Sequence, residues 1–296
     1  MRRLTASIIA MLPSHALAHG QENVPGWWTY DPWVWTPIAL CVVLYVRGML
    51  LQRRMARPLP RVSPWSITGF TAGIAALFLA LIWPLDALAE VSFAAHMAQH
   101  MLLIAVAAPL LTVSRPLPLL LIGMPSSWRR GNRHLGAIYR GVNALATPRV
   151  AFALHGILIW LWHAPFLFEA ALRWQSVHVA EHVTLLGSAL LFWHALRQTG
   201  RPGGEGYGAA ALWILGTLIH TGMLGALITF SPRLLYMSYA DTSHHFRSPM
   251  DDQQLAGLLM WIPGGLCYLV AGLACAAAWL RCGEREGLLR KGQGSP

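Results

Sequence analysis

Seven apolar runs, at about 34–52, 65–83, 93–113, 150–168, 177–197, 209–230 and 253–280, take up most of the chain. Each is close to the 20 or so residues that a helix needs to cross a hydrocarbon core roughly 30 Å thick. Within that core every backbone N–H and C=O must be satisfied inside the protein, a demand that helices meet within a single segment. The predicted fold is therefore all-α, a polytopic membrane bundle of seven transmembrane helices. Composition agrees, since 55% of the 296 residues are hydrophobic and only 11% are charged, against about 25% charged in ordinary soluble proteins. No segment outside the runs is large enough to bury a core of its own.

Residues 1–18 read as a cleavable signal peptide. Arg2 and Arg3 precede an apolar core from Leu4 to Leu12, and Ala16-Leu17-Ala18 offers a small-residue cleavage site. Cleavage would leave His19 at the new N-terminus, where an amine beside an imidazole chelates divalent copper. A transmembrane domain over 19–282 and a basic tail over 283–296 complete the expected division.

Arg53, Arg54, Arg57 and Arg61 follow the first run, six arginines from Arg115 to Arg149 lie between the third and fourth, Arg197 and Arg201 follow the fifth, and Arg281, Arg285, Arg290 and Lys291 follow the seventh. The alternate loops hold Asp86, Glu90, Glu169, Asp241, Asp251 and Asp252. Cytoplasmic loops carry the Arg and Lys excess, so the N-terminus is expected outside and the C-terminus inside, in a bacterial inner membrane. The same asymmetry accounts for the net charge of +10. The arginines then face anionic lipid headgroups, and no nucleic-acid partner is expected.

Cys41, Cys267, Cys275 and Cys282 sit within or at the end of runs with no Cys-x-x-Cys among them, so neither a disulfide framework nor a thiolate metal clip is legible. Trp27, Trp28, Trp33 and Trp35 crowd the approach to the first run as headgroup-level anchors. Pro116 to Gly123 is apolar but too short to cross, and is expected at the interface or as a short buried segment. The loop from Ser231 to Asp251, with Tyr236, Tyr239, His244, His245 and Met250, is the longest on the outer side and the expected lid or dock.

Histidine at membrane depth costs a few kcal/mol and usually has a task. His96 and His100 open the third run and His178 and His182 the fifth, both from the outer side. Residues four apart share a helix face, so each pair can reach one partner. Glu181 stands ready as a ligand, as an acceptor that fixes an imidazole tautomer, or as a proton acceptor. His163 closes the fourth run near the same surface, His220 lies mid-run on the sixth with Met223 one turn on, and Asp252 precedes the seventh. A thioether beside imidazoles suits monovalent copper. His155 and His194, toward the cytoplasmic side, read as hydrogen-bonded packing residues, or as part of a histidine pair gripping a haem. The candidate metal ligands are thus His96, His100, His163, His178, Glu181, His182, His220, Met223 and Asp252.

Several of these segments occur together in a known family. The run His96 to Leu103 (HMAQHMLL), Trp162-His163-Ala164-Pro165, the His178 to His182 block leading to Phe192-Trp193, Gly225 to Tyr236, and Asp252-Gln253-Gln254-Leu255-Ala256-Gly257 through Met260-Trp261-Ile262-Pro263-Gly264 resemble the multi-spanning CtaG family of caa3-type cytochrome c oxidase assembly factors. The resemblance covers roughly residues 25–282. It implies a non-catalytic role in maturing a haem–copper oxidase by handling copper on the outer side. The expected partners are oxidase subunits, membrane lipid and a periplasmic copper donor. Haem and zinc are the alternative cofactors. They correspond to two other readings, a haem-binding membrane protein and a membrane hydrolase in which Glu181 activates a metal-bound water.

Overall fold

The computed structural model describes residues 28–55, 62–129, 133–200, 204–240 and 248–293. The expected signal peptide, together with His244 and His245, lies outside the described residues. All regular structure among the described residues is helical.

Helices α1 (Pro32–Gln52) and α2 (Pro64–Leu81) each start on a proline behind a capping residue, with Asp31 accepting from the Trp33 N–H and Ser63 from the Trp65 N–H. Proline suits that position because its missing N–H would have had no partner there, and the cap oxygen satisfies one of the remaining donors. After α2 comes the short α3 (Leu85–Ala89), and the third span is α4 (Phe93–Met101), a π-helical turn (Leu102–Ala107) and α5 (Ala108–Ser114) in continuous succession. The connection that follows holds α6 (Leu117–Gly123), α7 (Ser126–Arg129) and α8 (Arg133–Leu145). The apolar Pro116–Gly123 stretch is thus a short helix, docked on α1. The Leu119 carbonyl lies where a Gly48 side chain would begin, and the Leu44 carbonyl where a Gly123 side chain would begin. Two glycines let these helices meet backbone to backbone, as small residues do between membrane helices.

The fourth span departs from the continuous run expected over 150–168. It is a broken pair, α9 (Pro148–Trp162) and α10 (Pro165–Arg173), bent by 72°. Pro165 has no N–H to continue the ladder and drives the preceding residue out of the helical region, and Ala164 accordingly has ψ 127°. The remaining helices are α11 (Gln175–Thr199), α12 (Gly206–Thr229), α13 (Pro249–Leu259), a π-helical turn at Met260–Gly264 that contains Pro263, and α14 (Gly265–Gln293). The last helix runs through the start of the expected tail at 283. Six described helices are long and apolar enough to cross a membrane, or seven when the bent pair is counted as one span.

Bonds between distant segments fix which helix ends lie together. Thr29 N–H donates to the Ile82 carbonyl (3.0 Å), joining the start of α1 to the end of α2. The Phe93 N–H donates to Asp252 (2.6 Å), and the Tyr236 hydroxyl donates to the His163 carbonyl (2.8 Å). The starts of α4 and α13 and the end of α9 thus share one end of the bundle. Arg149 and Glu205, 3.9 Å apart, mark the opposite end.

Large apolar side chains face outward, with Val43, Leu212, Ile219 and Leu273 each at least 59% exposed, whereas His96, His100, His155, Gln99 and Glu181 are at most 1% exposed. This inside-out distribution is that of a multi-pass membrane protein, whose exterior is solvated by lipid and whose polar groups face its own interior.

Candidate metal centre

Two helices supply most of the centre, and their placement is fixed from outside it. Ser92 caps α4 by accepting from the Ala95 N–H (3.2 Å). Asp252, reaching across from α13, accepts from the N–H groups of Phe93 (2.6 Å) and Ala94 (3.3 Å) and from the Ser92 hydroxyl (2.9 Å). A carboxylate at a helix N-terminus meets unsatisfied N–H groups and the positive end of the dipole. On another face of α4, Gln99 donates to the Ala80 carbonyl (2.8 Å) and to Asp86 (3.0 Å), which sets the rotation of the helix. With depth and rotation set, His96 and His100 face His178, Glu181 and His182 of α11.

One donor atom each from His96, His178, Glu181 and His182 lies within 4.8 Å of the others. His100 adjoins this set, its Nε2 standing 3.1 Å from His96 Nε2 and 3.6 Å from Glu181 Oε1. The other Glu181 oxygen is 3.6 Å from His96 Nε2. Ring centroids are 4.3 Å apart for His178 and His182, and 5.4 Å apart for His100 and His182. Both oxygens of Glu181, Nε2 of His178, Nε2 of His182 and Nδ1 of His100 are buried and lack a hydrogen-bond partner. Buried polar groups are nearly always satisfied, and groups left over at one place require an explanation. Imidazole lone pairs and a carboxylate can share one cation, and the donor set fits a transition metal.

Tyr239 determines which nitrogen His96 offers. Its hydroxyl donates to the Ala89 carbonyl (2.6 Å) and stands 3.1 Å from His96 Nδ1. With the hydroxyl proton committed to the carbonyl, the oxygen accepts from Nδ1–H, and the His96 lone pair is left on Nε2, the nitrogen facing the cluster. Burial, with Glu181 adding to it, pushes the Tyr239 phenol well above the ordinary tyrosine value, so it remains a donor. Tyr239 belongs to a strap over the cluster, held by Gln253, which accepts from the Leu235 N–H (2.7 Å), and by Glu169, which accepts from the Ser238 N–H (3.0 Å). Beneath it, Phe168 packs against Phe93 (5.3 Å), Tyr236 (4.6 Å) and the His96 ring (4.9 Å). Tyr239→Phe removes the hydroxyl that selects the tautomer and keeps the ring. We expect roughly 10- to 100-fold weaker metal binding, measured by copper titration of the purified protein. An unchanged affinity would show that the hydroxyl does not set the tautomer.

The other candidate ligands are placed differently. His163 is carried to the cluster's edge by the α9–α10 break, with its ring centroid 5.7 Å from that of His100. His220 packs against Gly156 and Phe152, outside the cluster, with neither ring nitrogen partnered. Met223 is 50% exposed on the outer surface of the bundle, in an apolar groove with Gly222, Ala226 and Trp261. Asp252 spends its oxygens on capping α4. His155 is engaged by Ser188 (3.1 Å) and Tyr268 (3.3 Å), and His194 by Arg197 (3.3 Å) and Gln198 (3.1 Å). Met97, which sequence reasoning left aside, has its Sδ 3.2 Å from His163 Nε2. Its place one residue after His96, about 100° around the helix, was the available signal.

Fold and cluster together define a multi-pass membrane protein with a buried histidine–carboxylate centre near one end of its bundle. The chain belongs to the cytochrome c oxidase caa3 assembly factor (CtaG) family, whose model matches residues 43–282. No curated protein and no solved structure matches the chain.

Proposed function

We propose that this assembly factor binds copper at His96, His100, His178, Glu181 and His182 and delivers it to an oxidase subunit without catalysing a reaction. The observation that carries the reading is Glu181, 0% exposed, with both oxygens lacking any hydrogen-bond donor and facing imidazole nitrogens at 3.6 Å. A cation bound there supplies the missing partner to Glu181, His178 and His182 at once. Family membership supports the oxidase as recipient. The arginine-poor loops at the cluster end support an outward-facing site in a bacterial cytoplasmic membrane, loaded from a periplasmic copper donor. The shallow depth suits this task, because cargo enters and leaves without crossing the bilayer.

Elemental analysis for copper, iron and zinc on protein purified from membranes in mild detergent tests the proposal. Near-stoichiometric copper is expected. Iron with a Soret band would favour the haem reading instead, zinc would favour the hydrolase reading, and no metal even after incubation with copper would overturn metal binding altogether.

A further inference from the structure

His163 and Met97 meet in a way that the cluster does not explain. His163 Nδ1 lies 2.7 Å from the Ile159 carbonyl oxygen, which can only accept, so Nδ1 carries the hydrogen. In the neutral ring the lone pair is then on Nε2, 3.2 Å from Met97 Sδ. A thioether has no hydrogen to give. Two lone-pair donors therefore face each other at 4% and 0% exposure, a contact that neither can satisfy with a hydrogen. A tetrahedral ion with bonds of about 2.0 Å to nitrogen and 2.3 Å to sulfur separates such donors by roughly 3.5 Å, a few tenths of an ångström from the observed spacing. His100 stands beside this pair, its ring centroid 5.7 Å from that of His163 and its Nδ1 unpartnered.

We propose that His163 and Met97 hold a second metal ion, monovalent copper, received from the histidine–glutamate cluster by way of His100. The thioether selects the soft monovalent ion over divalent copper or zinc. The transfer is ligand exchange: the ion gives up imidazole and carboxylate donors for imidazole and thioether donors, and its oxidation state does not change. Two adjacent stations of unlike donors give the cargo a direction, from a charged capture site to a neutral release site. This inference rests on the reading that the cluster handles copper.

The test loads the full-length protein in detergent anaerobically with monovalent copper and records both the copper bound and its X-ray absorption. A sulfur scatterer at about 2.3 Å is expected. The near-isosteric Met97→Leu variant should lose it together with roughly half of the bound copper, retaining the nitrogen-bound ion. Copper bound by the unsubstituted protein without sulfur, or sulfur that persists in Met97→Leu, overturns this inference alone. No copper bound by the unsubstituted protein overturns it together with the cluster reading. Because the sulfur signature is first sought in the unsubstituted protein, a folding defect in the variant does not obscure the result.

Discussion

Protein in which His96 and His100 are both replaced by alanine is expected to leave the membrane fraction intact and folded but with its copper affinity lowered by roughly 100-fold or more. Loss of a residue that merely orients a ligand costs about 10- to 100-fold, so removing two ligands sets that range as a floor. The fold tolerates the change because neither ring holds the backbone. Asp252 and Ser92 still cap α4, Gln99 still bonds to Ala80 and Asp86, and the Tyr239 hydroxyl still donates to the Ala89 carbonyl. His194→Ala, at the other end of the bundle, serves as the control and should keep its copper, since its partners Arg197 and Gln198 are remote from the cluster. Copper content equal to that of the unsubstituted protein after gel filtration would refute the assignment of α4 as half of the centre.

The contrast between His163 and His220 shows what hydropathy can and cannot reveal. A run of apolar residues fixes how deep a side chain lies along a helix, and this was enough to bring His96, His100, His178 and His182 to a common depth. Rotation about the helix axis is decided by packing partners scattered through the chain. His220 lies on α12 turned toward Gly156 and Phe152, away from the cluster. Its spacing to Met223 gave no sign of this, because both residues lie in an almost uniformly apolar run. His163 is brought in by a break, and that break was legible, since Pro165 two residues later cannot continue a helix. Asp252 illustrates a different limit. Carboxylates near histidines invite a metal reading, yet the N–H groups of Phe93 and Ala94, about 160 residues distant in sequence, engage this one, and no local pattern announces such a cap. Glu181 is the converse: three residues after His178 on α11, it shares that residue's helix face, so helical geometry alone put it in the cluster.

Glu181→Gln should move metal affinity and the stability of the metal-free protein in opposite directions. Glutamine keeps the length and volume of the side chain but removes the negative charge opposite the ion. A unit charge pair 4 Å apart at an effective dielectric of about 20 is worth about 4 kcal/mol, three powers of ten in affinity, and the amide oxygen recovers part of it, so a loss of roughly 100-fold is expected. In the metal-free protein the balance reverses. The glutamate presents two buried oxygens with no donor, whereas the amide brings N–H groups that the facing imidazole lone pairs accept. Satisfying a buried group of this kind is worth about 1–3 kcal/mol, and the melting temperature of the metal-free variant should rise accordingly. A carboxylate retained only to hold the imidazoles in place would behave otherwise, with both quantities falling together. Thermal denaturation in detergent with and without copper separates the two cases: a stabilised apo-protein that gains little from copper identifies Glu181 as the charged ligand, and a destabilised apo-protein identifies it as scaffolding.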